Sequence, residues 1–504
     1  MGKKQQDNII GVSNVRLKFP GESSLVFKDL SFHALKGEKV LLLGPSGCGK
    51  STLLQVLSGI VPHSIEVPLK YDSIQLPDSW GFVFQDPDTQ FCMPFVDEEL
   101  AFVLENLNVA REKMDGLIKD ALALVGLEKL EPHTQIQDLS QGMKQRLALA
   151  SVLLLQPEVL FLDEPSALLD PEGTVQIWDS VKQVAEDKTV IIVEHNIDYI
   201  ADWVDRVVLF NHTGEIIADG KPGIIFEKHH DELIQYGIWY PNVWKDYLHS
   251  SDFKLIESSR MQEVFEKNPI VKVRDFKGFR GKSEKLVVEE AEIDSGSWIA
   301  IVGDNGAGKS TLLLSLMQLL RTSGEYVVNG ERVDVEKKKR TPPAGLSLVF
   351  QNPELQFVTN SVFDELAFSY KMAGLSDSEI RREVIKLLDL FQIHVEEGRH
   401  PFQLSMGQKR RLSVATAFAQ GTDVLLLDEP TFGQDARNTF VMLEQLERLR
   451  KNGTTIVMVT HDMMIAKHFA TEIWTINQGK LFDIEFLQEK KRKENAYARM
   501  VHTP

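Results

Sequence analysis

An α/β fold built twice over is what this sequence predicts, and three observations carry the prediction. The first is a glycine-rich loop of spacing G-x-x-x-x-G-K-S, present once in each half, at 44–51 and 303–310. The second is the pair of short apolar runs, Lys39 to Leu43 and Trp298 to Val302, that lead into those loops. The third is an ordered set of elements after each loop: a glutamine, a Leu-Ser-x-Gly segment, an apolar run closing on Asp-Glu-Pro, and a histidine. These are Gln85 and Gln351, Ser140 and Ser405, Glu164 and Glu429, and His195 and His461, each second-copy member about 265 residues after its counterpart. One such glycine loop arises by chance in roughly 2% of chains this long. Two, each trailed by the same set, define an internal duplication.

The elements follow in order. Lys39 to Leu43 reads as a strand entering the glycine loop, and a helix begins near Lys50 with Leu53, Leu54 and Leu57 at helical spacing. Val159 to Leu162 and Thr189 to Val193 are short and apolar throughout, the pattern of parallel strands buried on both faces. The run from Val207 to Ile217, broken by Asn211-His212-Thr213-Gly214, reads as a hairpin. Trp298 to Val302, Val424 to Leu427, Thr455 to Val459 and a hairpin from Ile473 to Leu481, turning at Asn477-Gln478-Gly479, repeat the series. A helical insert interrupts each copy, at 97–130 and 364–391; Ala101, Leu104 and Leu107 are expected to pack one of its faces into the core. The domains expected are 1–235 and 269–490, joined by 236–268 and followed by a basic tail at 491–504. The connection holds Tyr236, Trp239, Tyr240, Trp244 and Tyr247, too aromatic for a flexible linker, and is expected to pack on a domain.

Composition narrows the class. With 504 residues, 43% hydrophobic and 26% charged, the chain reads as an ordinary globular protein with room for two or three cores. No apolar run approaches the ~18 residues that cross a bilayer, and the N-terminus lacks the apolar stretch of a signal peptide. Cys48 and Cys92 make no disulfide framework, so a reducing cytosol is the expected compartment. The net charge of −17 argues against nucleic acid as a partner. The basic runs Lys337-Lys338-Lys339-Arg340 and Lys490-Lys491-Arg492-Lys493 read as a solvated loop and a tail.

The loops are phosphate-binding loops. Gly44-Pro45-Ser46-Gly47-Cys48-Gly49-Lys50-Ser51-Thr52 and Gly303-Asp304-Asn305-Gly306-Ala307-Gly308-Lys309-Ser310-Thr311 let backbone N–H groups converge on phosphate at a helix N-terminus. Lys50 and Lys309 are placed to reach β- and γ-phosphate oxygens, and Ser51 and Ser310 to ligate Mg²⁺. Asp163 and Asp428 close apolar strands where a carboxylate holds the Mg²⁺ shell. Glu164 and Glu429 follow immediately and are the groups expected to polarise the attacking water. His195 and His461 follow the next strand, within reach of the γ-phosphate or of the glutamate's surroundings. ATP and Mg²⁺ are the expected cofactors.

Leu139-Ser140-Gln141-Gly142-Met143 and Leu404-Ser405-Met406-Gly407-Gln408 resemble the signature of the ABC-transporter ATPases, Leu-Ser-Gly-Gly-Gln. The resemblance covers nearly the whole length. It implies two tandem nucleotide-binding domains, each a RecA-like core with an antiparallel β subdomain and a helical signature subdomain, pairing head to tail within one chain. It further implies that Lys50 shares a nucleotide with Ser405 and Gly407, and Lys309 with Ser140 and Gly142. Gln85 and Gln351 would then act on Mg²⁺ and the attacking water. Asp170 and Asp435 match the aspartate that links the sites, while Phe19 and Phe279 resemble the aromatic that stacks on adenine, with a core role as the alternative. The signatures depart from the pattern at Gln141, Met143 and Met406, which puts the Lys309/Ser140 site in more doubt.

Phe84-Gln85-Asp86-Pro87-Asp88-Thr89-Gln90-Phe91 and Phe350-Gln351-Asn352-Pro353-Glu354-Leu355-Gln356-Phe357 are similar to the ATPases of energy-coupling-factor (ECF) importers of vitamins and cobalt. That resemblance implies a membrane-embedded coupling subunit gripped near this segment, a second membrane subunit that binds the substrate, and a station on the cytoplasmic face of the membrane. Phe91 and Phe357 belong either to that groove or to ordinary core. The sequence 428–435 further resembles tandem importers of thiamine or its hydroxymethylpyrimidine precursor. The rival readings are a ribosome- or nucleic-acid-associated tandem ATPase, which lacks support in an acidic chain, and the ATPase of a conventional sugar or peptide importer.

Replacing Glu164 or Glu429 singly by glutamine is expected to slow chemistry at the altered site by roughly 10²–10⁴-fold. Phosphate release by each variant checks this, and an unchanged rate would mean that the altered site is not catalytic.

Overall fold

The protein is described from a computed structural model covering residues 8–20, 24–167, 169–262, 267–335, 340–419 and 421–487. The chain divides into two compact units, one running to Val243 with Asp435–Arg437, the other made of Trp244–Gln434 and the chain from Asn438 onward.

In the first unit a six-stranded sheet runs in the order Ile216–Gly220, Arg206–Phe210, Lys39–Leu43, Thr189–Val193, Val159–Asp163, Trp80–Val83. All its pairings are parallel except the outermost, where Ile216–Gly220 folds back as a hairpin on Arg206–Phe210. The central strands are buried end to end, as their unbroken apolar runs require: alternation would have left one face wet. Asn8–Leu17, Phe27–Leu35, Leu69–Lys70 and Ser73–Gln75 make a separate antiparallel sheet. The helical insert is Val96–Asn106 and Arg111–Leu124, packed against the helix Gln141–Leu154.

The second unit repeats this plan. Its sheet order is Glu331–Arg332, Arg321–Val328, Pro269–Arg280, Ser283–Asp294, Lys480–Phe486, Glu472–Asn477, Trp298–Val302, Thr455–Val459, Val424–Asp428, Leu346–Val349. The antiparallel layer and the parallel core merge here because Val287 pairs with Lys480, its N–H donating to Gly479 at 2.7 Å. The insert is Val362–Met372 and Asp377–Leu390.

The buried face of the first insert differs from the expected one. Val96, Glu99, Leu100 and Leu104 are buried, whereas Ala101 is half-buried and Leu107 is 45% exposed. The helix ends at Asn106, so Leu107 caps it and its spacing from Leu104 no longer directs it inward.

The connection is helical, at His230–Tyr236, Val243–His249 and Ser251–Gln262. From Trp244 onward it lies on the second unit's helix Ala436–Lys451. Tyr247 stacks face to face on Phe440, with centroids 3.8 Å apart, and its hydroxyl donates to Glu444 at 3.2 Å. Arg260 and Arg450 both bond the buried carboxylate of Glu447, and the Arg260 guanidinium also sits over Trp298. A charge with two cationic donors meets its desolvation cost, and it pins the end of the connection to the helix.

Among the described residues no helix is long and apolar enough to cross a membrane. Lys337, Lys338, Lys339 and the basic run at 490–493, with the tail at 491–504, lie outside the described residues.

Candidate functional site

Each phosphate loop leaves the end of a buried strand and turns into a short helix, Lys50–Leu57 or Lys309–Leu316. Gly44 and Gly303 mark where no side chain fits. A Cβ on Gly44 would come 2.8 Å from the Cβ of Phe210, and one on Gly303, at φ +142°, would come 2.1 Å from the carbonyl oxygen of Ile476. The two lysines behave identically. Lys50 Nζ donates to the carbonyls of Gly44 and Pro45 at 2.7 and 3.0 Å; Lys309 Nζ donates to Gly303 and Asp304 at the same distances. Both ammonium groups are thereby curled over the mouth of their own loop. Cys48 packs beneath the first loop, and burial pushes its thiol pKa up, which keeps it a small neutral filler.

One residue into the helix, Ser51 Oγ donates to Asp163 at 2.8 Å, and Ser310 Oγ to Asp428 at 3.1 Å. Burial raises the Asp163 pKa to about 6 against the Ser51 bond, and burial raises Asp428 as well. A buried carboxylate short of positive charge beside a hydroxyl is a donor set that a divalent cation completes. Among the described residues no group of three or more His, Cys, Asp or Glu is placed to hold a metal unaided. A cation here would therefore depend on Ser, Asp and nucleotide oxygens together, as Mg²⁺ on ATP does.

The next residue carries the strain. Glu164 and Glu429 sit in the left-handed region, at φ +48° and +50°, which is uncommon for a residue with a side chain. The turn lifts each carboxylate off the strand end and into a clamp. Gln85 Nε2 donates to Glu164 Oε2 at 2.8 Å, while His195 Nε2 lies 3.1 Å from Oε1. In the second copy Gln351 donates to Glu429 at 3.2 Å and His461 Nε2 lies 3.1 Å away. Burial alone would raise the Glu164 pKa, but the His195 bond and charge, with Lys50, hold it below the usual carboxylate range. Reciprocally, burial works to lower His195, and the Glu164 contact overrides it and raises the imidazole. The first clamp thus keeps its carboxylate charged at neutral pH. The glutamine amides are engaged with the glutamates in this arrangement, not with the Ser–Asp pairs.

Ser140 and Ser405 are the N-caps of the helices Gln141–Leu154 and Met406–Phe418, each accepting from the N–H three residues on at 3.3 Å. Gln408 returns the favour, accepting from the Ser405 N–H at 3.0 Å to close a capping box. Met143 has no acceptor to do so, which is the physical meaning of that departure from the pattern. Gly142 and Gly407 lie in the first turn of the same helices. Asp170 caps the helix Pro171–Val184 through the Gly173 N–H at 2.7 Å, and Asp435 immediately precedes the helix Ala436–Lys451. Phe19 is half-buried against the first core, and Phe279 is half-buried with the Arg321 guanidinium 5.0 Å from its ring centroid. Phe91 and Phe357 are also half-buried.

Glu194 was not legible as a functional candidate. It is buried beside the clamp, accepting from Ser166 Oγ at 2.7 Å and from the N–H groups of His195 and Asn196 at 2.8 and 3.2 Å. The second copy has Thr460 there, accepting from the Asp462 N–H at 3.1 Å. Glu99 and Glu365 are likewise buried, each accepting from two backbone N–H groups of the loop that follows the glutamine segment. Their recurrence in the two copies was the available signal.

Residues 27–167 and 289–432 each match the family model described as ABC transporter. The chain is 35% identical over 510 residues to "Putative HMP/thiamine import ATP-binding protein YkoD" of Bacillus subtilis, covering 95% of this chain and 91% of that one. It is 32% identical over 524 residues to a "Putative ABC transporter ATP-binding protein" of Methanosarcina acetivorans, covering 94% and 85%. Among solved structures, the RNase-L Inhibitor superposes with a TM-score of 0.62 at 20% identity, covering 96% of this chain and 92% of that one. A chain from a model of ribosome-bound archaeal Pelota and ABCE1 gives 0.65 at 21% identity, covering 96% and 80%. At such identities the likeness is one of fold: two tandem nucleotide-binding domains of mixed α/β architecture.

Removing the Glu194 carboxylate with Glu194→Ala strands a buried hydroxyl and two N–H groups, and is expected to cost about 2–3 kcal/mol of stability. Thr460→Ala removes a single acceptor and is expected to cost about 1 kcal/mol. Denaturant titrations of both variants check the contrast, and equal losses would contradict it.

Proposed function

The chain belongs to the ABC transporter family, and from that premise we propose that it is the ATP-hydrolysing energy-coupling subunit of an ECF-type importer. The cargo proposed is thiamine or its hydroxymethylpyrimidine precursor, and the partners are a membrane-embedded coupling subunit and a substrate-binding membrane subunit. The chain would then work as a peripheral protein on the cytoplasmic face.

The proposed chemistry uses each clamp in turn. ATP would bring the reacting γ-phosphate, and Mg²⁺ when bound would supply positive charge against its phosphates. Lys50 and Lys309 exchange their loop carbonyls for phosphate oxygens, aided by the loop N–H groups and the helix N-termini. Ser51 with Asp163, and Ser310 with Asp428, would hold the cation. Glu164 and Glu429 accept hydrogen bonds from the attacking water, while Gln85, His195, Gln351 and His461 fix its orientation. In the head-to-tail pairing that this reading includes, Ser405 and Gly407 would complete the Lys50 site, and Ser140 and Gly142 the Lys309 site. Of the two, the signature with the complete capping box presents the better-ordered helix terminus. Phe19 and Phe279 are the proposed adenine platforms. ATP binds the closed pairing more tightly than the open one, and that difference drives the motion.

The observation that carries the importer reading is an apolar surface beside the second clamp's glutamine. Leu355 is 73% exposed and Val358 70%, on either side of Phe357, whose ring meets that of half-exposed Phe402 at 6.3 Å. Large apolar side chains left wet together suit a protein partner. The similarity over most of its length to a Bacillus subtilis relative named for HMP/thiamine import supports the cargo. The likeness to a ribosome-bound structure, being of fold alone, lends the rival reading no weight.

Tagging the chain and recovering it from membranes in mild detergent is expected to bring down a hydrophobic multi-spanning protein and a second, substrate-binding membrane protein. Cells lacking the chain are expected to lose uptake of labelled thiamine or hydroxymethylpyrimidine. Recovery of ribosomal proteins or RNA with no membrane protein would sink the importer reading and leave the ATPase standing.

A further inference from the structure

The two units hold the clamp histidine in place by different means. In the second, His461 is followed by Asp462, whose side chain accepts from the Met464 N–H at 2.8 Å and so caps the helix Met463–Phe469. The Asp462 N–H in turn donates to the Thr460 hydroxyl at 3.1 Å. The histidine there stands at the entry to a capped helix, and the cap fixes its backbone. The first unit has Asn196 in place of that aspartate, and residues 198–203 are turns, with no helix for it to cap.

Glu194 stands in for the helix. One oxygen of its buried carboxylate accepts from the N–H groups of both His195 and Asn196, at 2.8 and 3.2 Å, and the other accepts from Ser166 Oγ at 2.7 Å. Ser166 lies two residues beyond Glu164, on the turn that carries the base, and the Glu164 N–H donates to the Val193 carbonyl at 2.8 Å. Two successive residues, Val193 and Glu194, therefore tie down the turn on which Glu164 sits, and Glu194 adds the backbone of the histidine. The second unit keeps the first of these ties, from the Glu429 N–H to Val459 at 3.2 Å. Among the described residues no hydrogen bond joins Thr460 to Thr431, the counterpart of Ser166.

A carboxylate that accepts three hydrogen bonds away from water has little freedom to swing. Both oxygens of Glu194 are committed to protein donors, so its route to the chemistry runs through His195 and the Glu164 turn. The 3.1 Å contact between His195 Nε2 and Glu164 joins the two pieces that Glu194 holds together from behind.

We propose that Glu194 is a positioning residue for hydrolysis at the first clamp, keeping the imidazole and the base at working distance as the capped helix does in the second unit. The inference rests on the reading of Glu164 and His195 as hydrolytic groups, and it concerns the first unit alone.

Two substitutions in the full chain test it. Glu194→Thr installs the second unit's residue without its helix, whereas Glu194→Gln keeps an oxygen for the two N–H groups and an amide that donates to Ser166. Each is made in the otherwise unaltered chain and in one carrying Glu429→Gln, which leaves turnover to the first clamp. Phosphate release is measured against ATP concentration, a fluorescent ATP analogue reports affinity, and thermal melting reports folding. Glu194→Thr is expected to keep KM and analogue affinity, while losing about tenfold in kcat beside Glu429→Gln and about half or more in the otherwise unaltered chain. Glu194→Gln is expected to stay within about twofold of its parent in both. A folded Glu194→Thr chain with the kcat of its otherwise unaltered parent, its only loss being in melting temperature, would overturn the proposal. So would a Glu194→Gln chain that falls as far as Glu194→Thr. Unchanged phosphate release on Glu164→Gln would instead remove the reading of Glu164 as the base, and this inference with it.

Discussion

A carboxylate held between an amide and an imidazole, on a backbone turned the wrong way, is the arrangement on which the rest depends. Glu164 and Glu429 occupy left-handed geometry that their side chains disfavour, and each is gripped on one oxygen by a glutamine and on the other by a histidine. The three groups come from three separate stretches of chain. Only a sheet whose strands end at one edge brings them together. The parallel order with Lys39–Leu43 beside Thr189–Val193 and Val159–Asp163 does that, since every one of those strands delivers its C-terminal end to the same rim. The phosphate loop, the Asp-Glu pair and the histidine all leave from that rim.

The electrostatics follow from the same crowding. Burial would neutralise carboxylates here, and it does push Asp163 to about 6. Glu164 escapes because His195 is in contact with it and Lys50 is near, so burial lifts the one acid while its neighbours hold the next one down. Glu194 adds a third buried acid to the first copy alone, where its bonds to Ser166 and to the backbone of His195 brace the clamp from behind.

Much of this was legible in the residues because it follows from local pattern. Unbroken apolar runs such as Thr189–Val193 announce strands buried on both faces, and Asn211-His212-Thr213-Gly214 announces a hairpin. The ordered set of motifs announced the site, because each motif sits where a strand or helix ends. What was not legible depends on partners distant in sequence. Lys144 and Asp88 are 56 residues apart, and a lysine in a helix reads as a solvated charge until its acid is seen across from it. Leu107 failed for a different reason: helical spacing from Leu104 assumes a helix that has already stopped at Asn106. Phe19 and Phe279 had two readings in the sequence, because a half-buried ring on a core edge suits packing and stacking equally well.

The central claim is that one chain holds two nucleotide sites, built from the same parts and differing in bracing and in their signature residues. Counting bound ATP tests it most directly. The double variant Glu164→Gln, Glu429→Gln keeps the loops, the lysines and the Ser–Asp pairs while slowing hydrolysis, so equilibrium dialysis with labelled ATP and Mg²⁺ reads stoichiometry cleanly. Two ATP per chain at saturation is the result expected. A plateau at one would show that one of the two clamps belongs to no nucleotide site, and would contradict the account.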